Sequence, residues 1–111
     1  MKILFTAHGT DWNSQMDERF GRAEYLVVYD VEADKLEAFA NDTSSMDHGA
    51  GLQTAQKVVE IAPDVIITGN GAGGKVVDII KKTDIKVYIG AKNMTLKEAY
   101  DKYKNNELNM Q

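Results

Sequence analysis

The chain has 111 residues, 43% of them hydrophobic and 27% charged, with a formal net charge of −4, which suits one soluble domain with a single core. It contains no cysteine, so disulfides, thiolate metal sites and cysteine nucleophiles are excluded. There is no basic stripe, no signal-like leader and no apolar run long enough to cross a bilayer. The expectation is therefore one cytoplasmic domain over residues 1–111 that binds neither nucleic acid nor membrane.

Ile3 to Ala7 is a nearly unbroken apolar run and reads as a buried central strand. Residues 8–23 are polar and mixed, without periodicity. Tyr25 to Val31, rich in β-branched and aromatic residues, is a second strand. After the short break Glu32-Ala33-Asp34, Lys35 to Ala40 alternates Leu36, Ala38 and Ala40 against Lys35, Glu37 and Phe39 and reads as an edge strand. So short a break makes the pair an antiparallel hairpin.

A second long polar loop covers residues 41–50. Leu52, Ala55, Val58, Val59 and Ala62 then follow helical spacing up to Pro63. Val65-Ile66-Ile67 is a fourth strand, followed by the glycine cluster Gly69 to Gly74 and a second helix carrying Val76, Val77 and Ile80. Ile85 to Ile89 is the fifth strand. Thr95 and Glu98 form a capping box for a third helix with the stripe Leu96, Ala99, Tyr100 and Tyr103.

The order ββ-β-α-β-α-β-α predicts parallel strands joined by right-handed crossovers in its later half. If the first strand runs with the fourth, the loops at 8–23, 41–50, 69–74 and 90–95 emerge on one edge, outside the carboxyl ends of the strands, where open α/β sheets bind ligands. His8 and His48, the two histidines of the chain, fall in the first two of these loops.

Several groups there suit an anion. Gly49-Ala50-Gly51 and Gly69-Asn70-Gly71-Ala72-Gly73-Gly74 each precede a helix and leave backbone N–H groups open. The second fits G-x-G-x-x-G, but the region about 20 residues on is Lys92-Asn93-Met94, with no acidic ribose partner. It also fits G-x-x-x-x-G-K, but Val76 stands where a P-loop needs Ser or Thr. What remains is a turn that presents donors to something negative. Arg19 and Arg22 bring two guanidinium groups near the second strand, suited to an oxyanion or a sulfur-rich anion, or else to loop carbonyls. Phe20, Met16 and Met46 read as packing residues, and Trp12 as either a lid or an anchor. Asp11, Asp17, Asp42 and Asp47 read as solvated carboxylates or turn caps. No Ser/His/Asp pattern has a recognisable context, and the first strand lacks the carboxylate that two-metal phosphodiester chemistry needs.

Arg19-Phe20-Gly21-Arg22-Ala23, His48-Gly49-Ala50-Gly51 with Gln53, Ala55 and Gln56, Asp64-Val65-Ile66-Ile67-Thr68-Gly69, and Ile85-Lys86-Val87-Tyr88 together resemble the dinitrogenase iron–molybdenum cofactor biosynthesis family, from Met1 to about Leu108. That resemblance implies a ribonuclease H-like α/β fold in three layers. Its five-stranded mixed sheet would have the order 3-2-1-4-5 with strand 2 antiparallel, and about three helices. It also implies a non-catalytic carrier of an iron–sulfur or iron–molybdenum-type cluster, working with cofactor-assembly or acceptor proteins. Two departures stand out. Arg19 replaces the histidine that often precedes the Phe-Gly-Arg triplet, and Gly71-Ala72 replaces a frequent Gly-Pro. On this reading His8 and His48 are direct metal ligands, and Arg22, Gly49, Gly51, Asn70, Gly71 and Gly73 hold the cluster's charge. His8, Arg22, His48 and the 69–74 turn must then be neighbours. The rival readings are a phosphate- or nucleotide-binding regulatory module, an enzyme of small acidic metabolites using His48, and an interaction module built on the 35–40 edge.

Overall fold

The structure, a computed structural model, describes residues 1–43, 46 and 48–111. Its elements are β1 (Lys2–Ala7), β2 (Tyr25–Asp30), β3 (Lys35–Ala40), α1 (Ala50–Ile61), β4 (Val65–Ile67), α2 (Gly74–Lys81), β5 (Lys86–Ile89), α3 (Leu96–Lys104) and β6 (Asn109–Met110). One mixed sheet runs β3-β2-β1-β4-β5-β6. β1 is parallel to β4 and antiparallel to β2, β4 is parallel to β5, and β6 closes the far side antiparallel to β5.

The sheet therefore has six strands where five are expected. β6 is two exposed residues, too short and too polar to carry a pattern, and it exists only because the edge of β5 offers backbone partners. The first five strands take the expected order.

β1 reads as unbroken hydrophobic sequence because both of its faces are covered. Ile3, Phe5 and Ala7 join Val27, Tyr29, Val65 and Ile67 in one core, closed by Leu96 and Ala99 of α3. Leu4 joins Leu26, Val28, Ile66 and Val87 in a second core under Val58 of α1 and Ile80 of α2. The result is three layers, with α3 on one face and α1 and α2 on the other. β3 departs from the expected alternation, since only Leu36 and no other residue of the strand is partly buried. An outermost strand with no helix over it has little to pack against.

Trp12 is an anchor. Its ring lies 4.8 Å from Tyr29, 5.6 Å from Tyr100 and 5.9 Å from Phe5. It thereby ties the loop after β1 to α3.

Candidate functional site

The parallel pairing of β1 with β4 settles the direction of the first strand. β1, β3, β4 and β5 end, and β2 begins, on one edge. Four loops gather there, as the strand directions predict.

Glycines lock those loops together. A Cβ on Gly21 would lie 2.8 Å from the backbone of Gly51, and one on Gly69 would lie 2.5 Å from the Cα of Glu18. The Phe-Gly-Arg loop thus rests on the first turn of α1 on one side, and its neighbour Glu18 rests on the β4–α2 turn. Asn70 N–H donates to the Glu18 carbonyl at 2.8 Å. A Cβ on Gly51 would lie 3.0 Å from Cγ2 of Val76, so the first turns of α1 and α2 also touch.

These two helix beginnings differ from the third. α3 is fully served: Leu96 N–H donates to the Ser14 carbonyl at 3.0 Å, Lys97 N–H to the Trp12 carbonyl at 3.1 Å, and Glu98 N–H to Thr95 Oγ1 at 3.2 Å. The expected capping box is complete. α1 and α2 begin after Gly49 and Gly73 with no side-chain cap. Among the described residues no acceptor faces the N–H groups of Ala50, Gly51 and Leu52, or of Gly74, Lys75 and Val76. Gly49 has φ 81°, a left-handed conformation that favours glycine. Gly73 has φ −72°, and a Cβ at Gly73 or Gly74 would meet nothing within 4 Å. The protein's own packing therefore gives no reason for glycine at these two positions.

Beside this lies a polar cluster that sequence reasoning missed. Asp17, expected to be a solvated carboxylate or a turn cap, has a side chain only 1% exposed. Its carboxylate accepts from Arg19 Nε at 3.0 Å and Arg19 Nη2 at 2.9 Å, and from the backbone N–H groups of Arg19 at 3.0 Å and Glu24 at 3.3 Å. Burial pushes the Asp17 carboxyl up, but the Arg19 bonds and the nearby His8 outweigh it and hold the group below its ordinary value. The Asp-x-Arg spacing before Phe20 is the one signal that could have revealed this pair. His8 is 43% exposed, and its Nδ1 lies 2.9 Å from Glu24 Oε1 and 3.6 Å from Asp17 Oδ2. Open grooves flank Arg19. One, of about 470 Å³, is lined also by Arg22, Glu24, Asn41 and Asp42, and the other, of about 410 Å³, by His8, Gln15, Met16 and Asn93.

A second missed network centres on the Gly21 carbonyl, which accepts from Thr43 Oγ1 and Thr54 Oγ1 at 2.8 Å each and from Asn41 Nδ2 at 3.3 Å. Asn41, Thr43 and Thr54 are buried. Arg22 takes the loop-carbonyl role, donating to Met46 at 2.7 Å and Thr43 at 3.4 Å. Its charge is thus fixed over the loop leading to α1. Phe20 and Met16 are core residues, and Asp11 caps its own turn through Asn13 N–H at 2.9 Å. Asp47 lies outside the described residues.

Of the expected ligands, Gly49, Gly51, Asn70, Gly71 and Gly73 line the two glycine turns, with Arg22 beside the first. His8 lies beside Glu24 and Asp17. His48 is exposed just before Gly49, and no hydrogen bond or ion pair ties it to His8 among the described residues. Among those residues no three histidine or carboxylate side chains form a metal site, and no helix is long and apolar enough to cross a membrane.

The family model of the dinitrogenase iron–molybdenum cofactor matches residues 1–106. The apo form of the orange protein from Desulfovibrio gigas superposes with a TM-score of 0.91 at 29% identity, covering 99% of this chain and 92% of that one. A Thermotoga protein named as a NifB candidate of the DUF35 family superposes with a TM-score of 0.83 at 28% identity, covering 98% and 91%. No curated relative matches the chain.

Proposed function

The chain belongs to the dinitrogenase iron–molybdenum cofactor family, and from that premise we propose that it is a non-catalytic carrier of an anionic metal–sulfur cluster, of iron–sulfur or iron–molybdenum type, on a ribonuclease H-like sheet. It would serve cofactor-assembly or acceptor proteins in the cytoplasm. The observation that carries this reading is the meeting of two uncapped helix beginnings at Gly51 and Val76, each leaving its first N–H groups without an acceptor.

Helix N-termini carry roughly half a positive charge each. Two in contact, with their first donors unpaired among the described residues, suit a polyanion with many acceptor atoms better than a single small ion. Open space at Gly73 and Gly74 lets such a body approach the backbone closely. Arg22, fixed over the adjoining loop, would add charge, and His48, exposed just before Gly49, would supply an imidazole ligand. With no thiolate in the chain, the grip rests largely on hydrogen bonds and charge, which favours a modest, reversible affinity suited to delivery.

Oxygen-free titration with tetrathiomolybdate and with a synthetic [4Fe–4S] cluster, followed by visible absorption and amide NMR, tests this. The expected result is a new absorption band with shifts at Gly51, Gly73 and Gly74 and at the His48 ring. Unmoved amides at all three glycines would overturn it. Saturable stabilisation by a nucleotide in the absence of iron, with the same amides shifting, would favour the phosphate reading instead.

A further inference from the structure

The glycine turn between β4 and α2 is held from a distance by one side chain. Ala72 is nearly buried, so its N–H and C=O both need partners. Gln111 supplies both: Ala72 N–H donates to Gln111 Oε1 at 3.0 Å, and Gln111 Nε2 donates to the Ala72 carbonyl at 2.8 Å. The carboxamide stands in for a neighbouring strand. Gln111 is brought there by β6, through pairing of Met110 with Tyr88 and of Asn109 with Ile89, and through its own N–H donating to the Val87 carbonyl at 2.8 Å. Gly71 makes room for it. A Cβ at Gly71, where φ is 85°, would lie 2.6 Å from Gln111 Oε1 and 3.0 Å from Cγ2 of Ile89.

The turn is thus pinned at two points, Asn70 to Glu18 and Ala72 to Gln111, and becomes open at Gly73 and Gly74. We propose that Gln111 is a positioning residue for the ligand edge: clamped on Ala72, it sets the direction in which Gly73 and Gly74 lead into α2 and present their backbone. Its effect on ligand affinity rests on the carrier reading, whereas its effect on the turn does not.

The test uses the full chain with Gln111→Ala and Gln111→Glu. The second variant keeps an acceptor for Ala72 N–H but sets a carboxylate against the Ala72 carbonyl. Amide hydrogen exchange at Ala72 is expected to accelerate about tenfold or more in Gln111→Ala, the scale of losing two ordinary hydrogen bonds. The Gly73 and Gly74 resonances should move, the thermal midpoint should change little, and tetrathiomolybdate affinity should fall about three- to tenfold. Gln111→Glu should show changes of the same kind but a smaller acceleration at Ala72, because one of the two bonds is kept. Unchanged exchange at Ala72 together with unmoved Gly73 and Gly74 resonances would overturn the proposal, as would lost protection with undiminished affinity. If the unmodified chain binds no tetrathiomolybdate, the carrier reading falls, and the exchange rates and glycine resonances still decide what Gln111 does to the turn.

Discussion

The two faces of the sheet begin their helices in opposite ways. On the α3 face every early N–H group has an acceptor inside the protein, and Trp12, Tyr29 and Tyr100 seal the loop that supplies two of them. On the α1–α2 face the helices begin at glycines, without caps, and touch at their first turns. Capping is worth about 1 kcal/mol per helix, and this chain uses it once and forgoes it twice, side by side. The difference teaches that the first face serves its helix from within the protein, whereas the second leaves its first donors without an acceptor among the described residues.

The largest way to break the comparison is through the sealed face. Phe5→Ala removes a fully buried ring against Trp12 and should cost about 3–5 kcal/mol in chemical denaturation. The fraction that stays folded should still bind tetrathiomolybdate as before. If that affinity is lost as well, the two faces are not independent.

Asp17→Asn acts between the faces and should cost about 1–3 kcal/mol, because Arg19 and two backbone N–H groups lose a charged acceptor. Asp17 is held below its ordinary value, so its stabilising contribution is fully present above the usual carboxylate range, near pH 4, and is lost as pH falls through the lowered value. Urea midpoints measured from pH 6 downward should therefore fall less steeply in the variant than in the unmodified chain.

Thr95→Ala removes the one complete capping box and should cost about 1 kcal/mol by thermal or urea denaturation, with no change in ligand affinity. The converse change sharpens the contrast. Gly73→Ser adds a cap to α2 at a backbone conformation, φ −72° and ψ 166°, that suits a serine cap, in open space. Stability should rise by only a few tenths of a kcal/mol, while tetrathiomolybdate affinity falls because the hydroxyl now takes a donor. A variant that binds as tightly as before would show that α2's first turn is not used.

Much of the scaffold was legible because its signals are local. The apolar run of β1, the short break between β2 and β3, and the Thr95–Glu98 pair each carry their meaning within a few residues. The glycine turns were legible as openings, although not as partners. Of the two readings of Asp17, solvated carboxylate or turn cap, the second holds, since its carboxylate accepts from Arg19 N–H two residues on, but nothing in its own neighbourhood announces burial. Its solvent exclusion comes from the loop folding back on β1, where Asp17 N–H meets the Thr6 carbonyl at 2.9 Å. The Asn41–Thr43–Thr54 network and the Gln111 clamp were invisible for the same reason, since their partners lie far along the chain.

What the sequence determined by itself was the first five strands and three helices, their order, the relative directions of β2 and β3 and of the later parallel strands, and the absence of thiolate chemistry; the common edge of the loops followed once the structure fixed the direction of β1. Those elements and directions follow from periodicity, turn residues and crossover handedness, which act over short stretches or through topology alone. Only the tertiary structure decided which glycines touch, that Asp17 is buried beneath Arg19, that His8 and His48 stand in different settings, and that a sixth strand carries Gln111 to Ala72. Those outcomes depend on close approach between residues distant in the chain, and packing at a few ångströms leaves no mark on local composition.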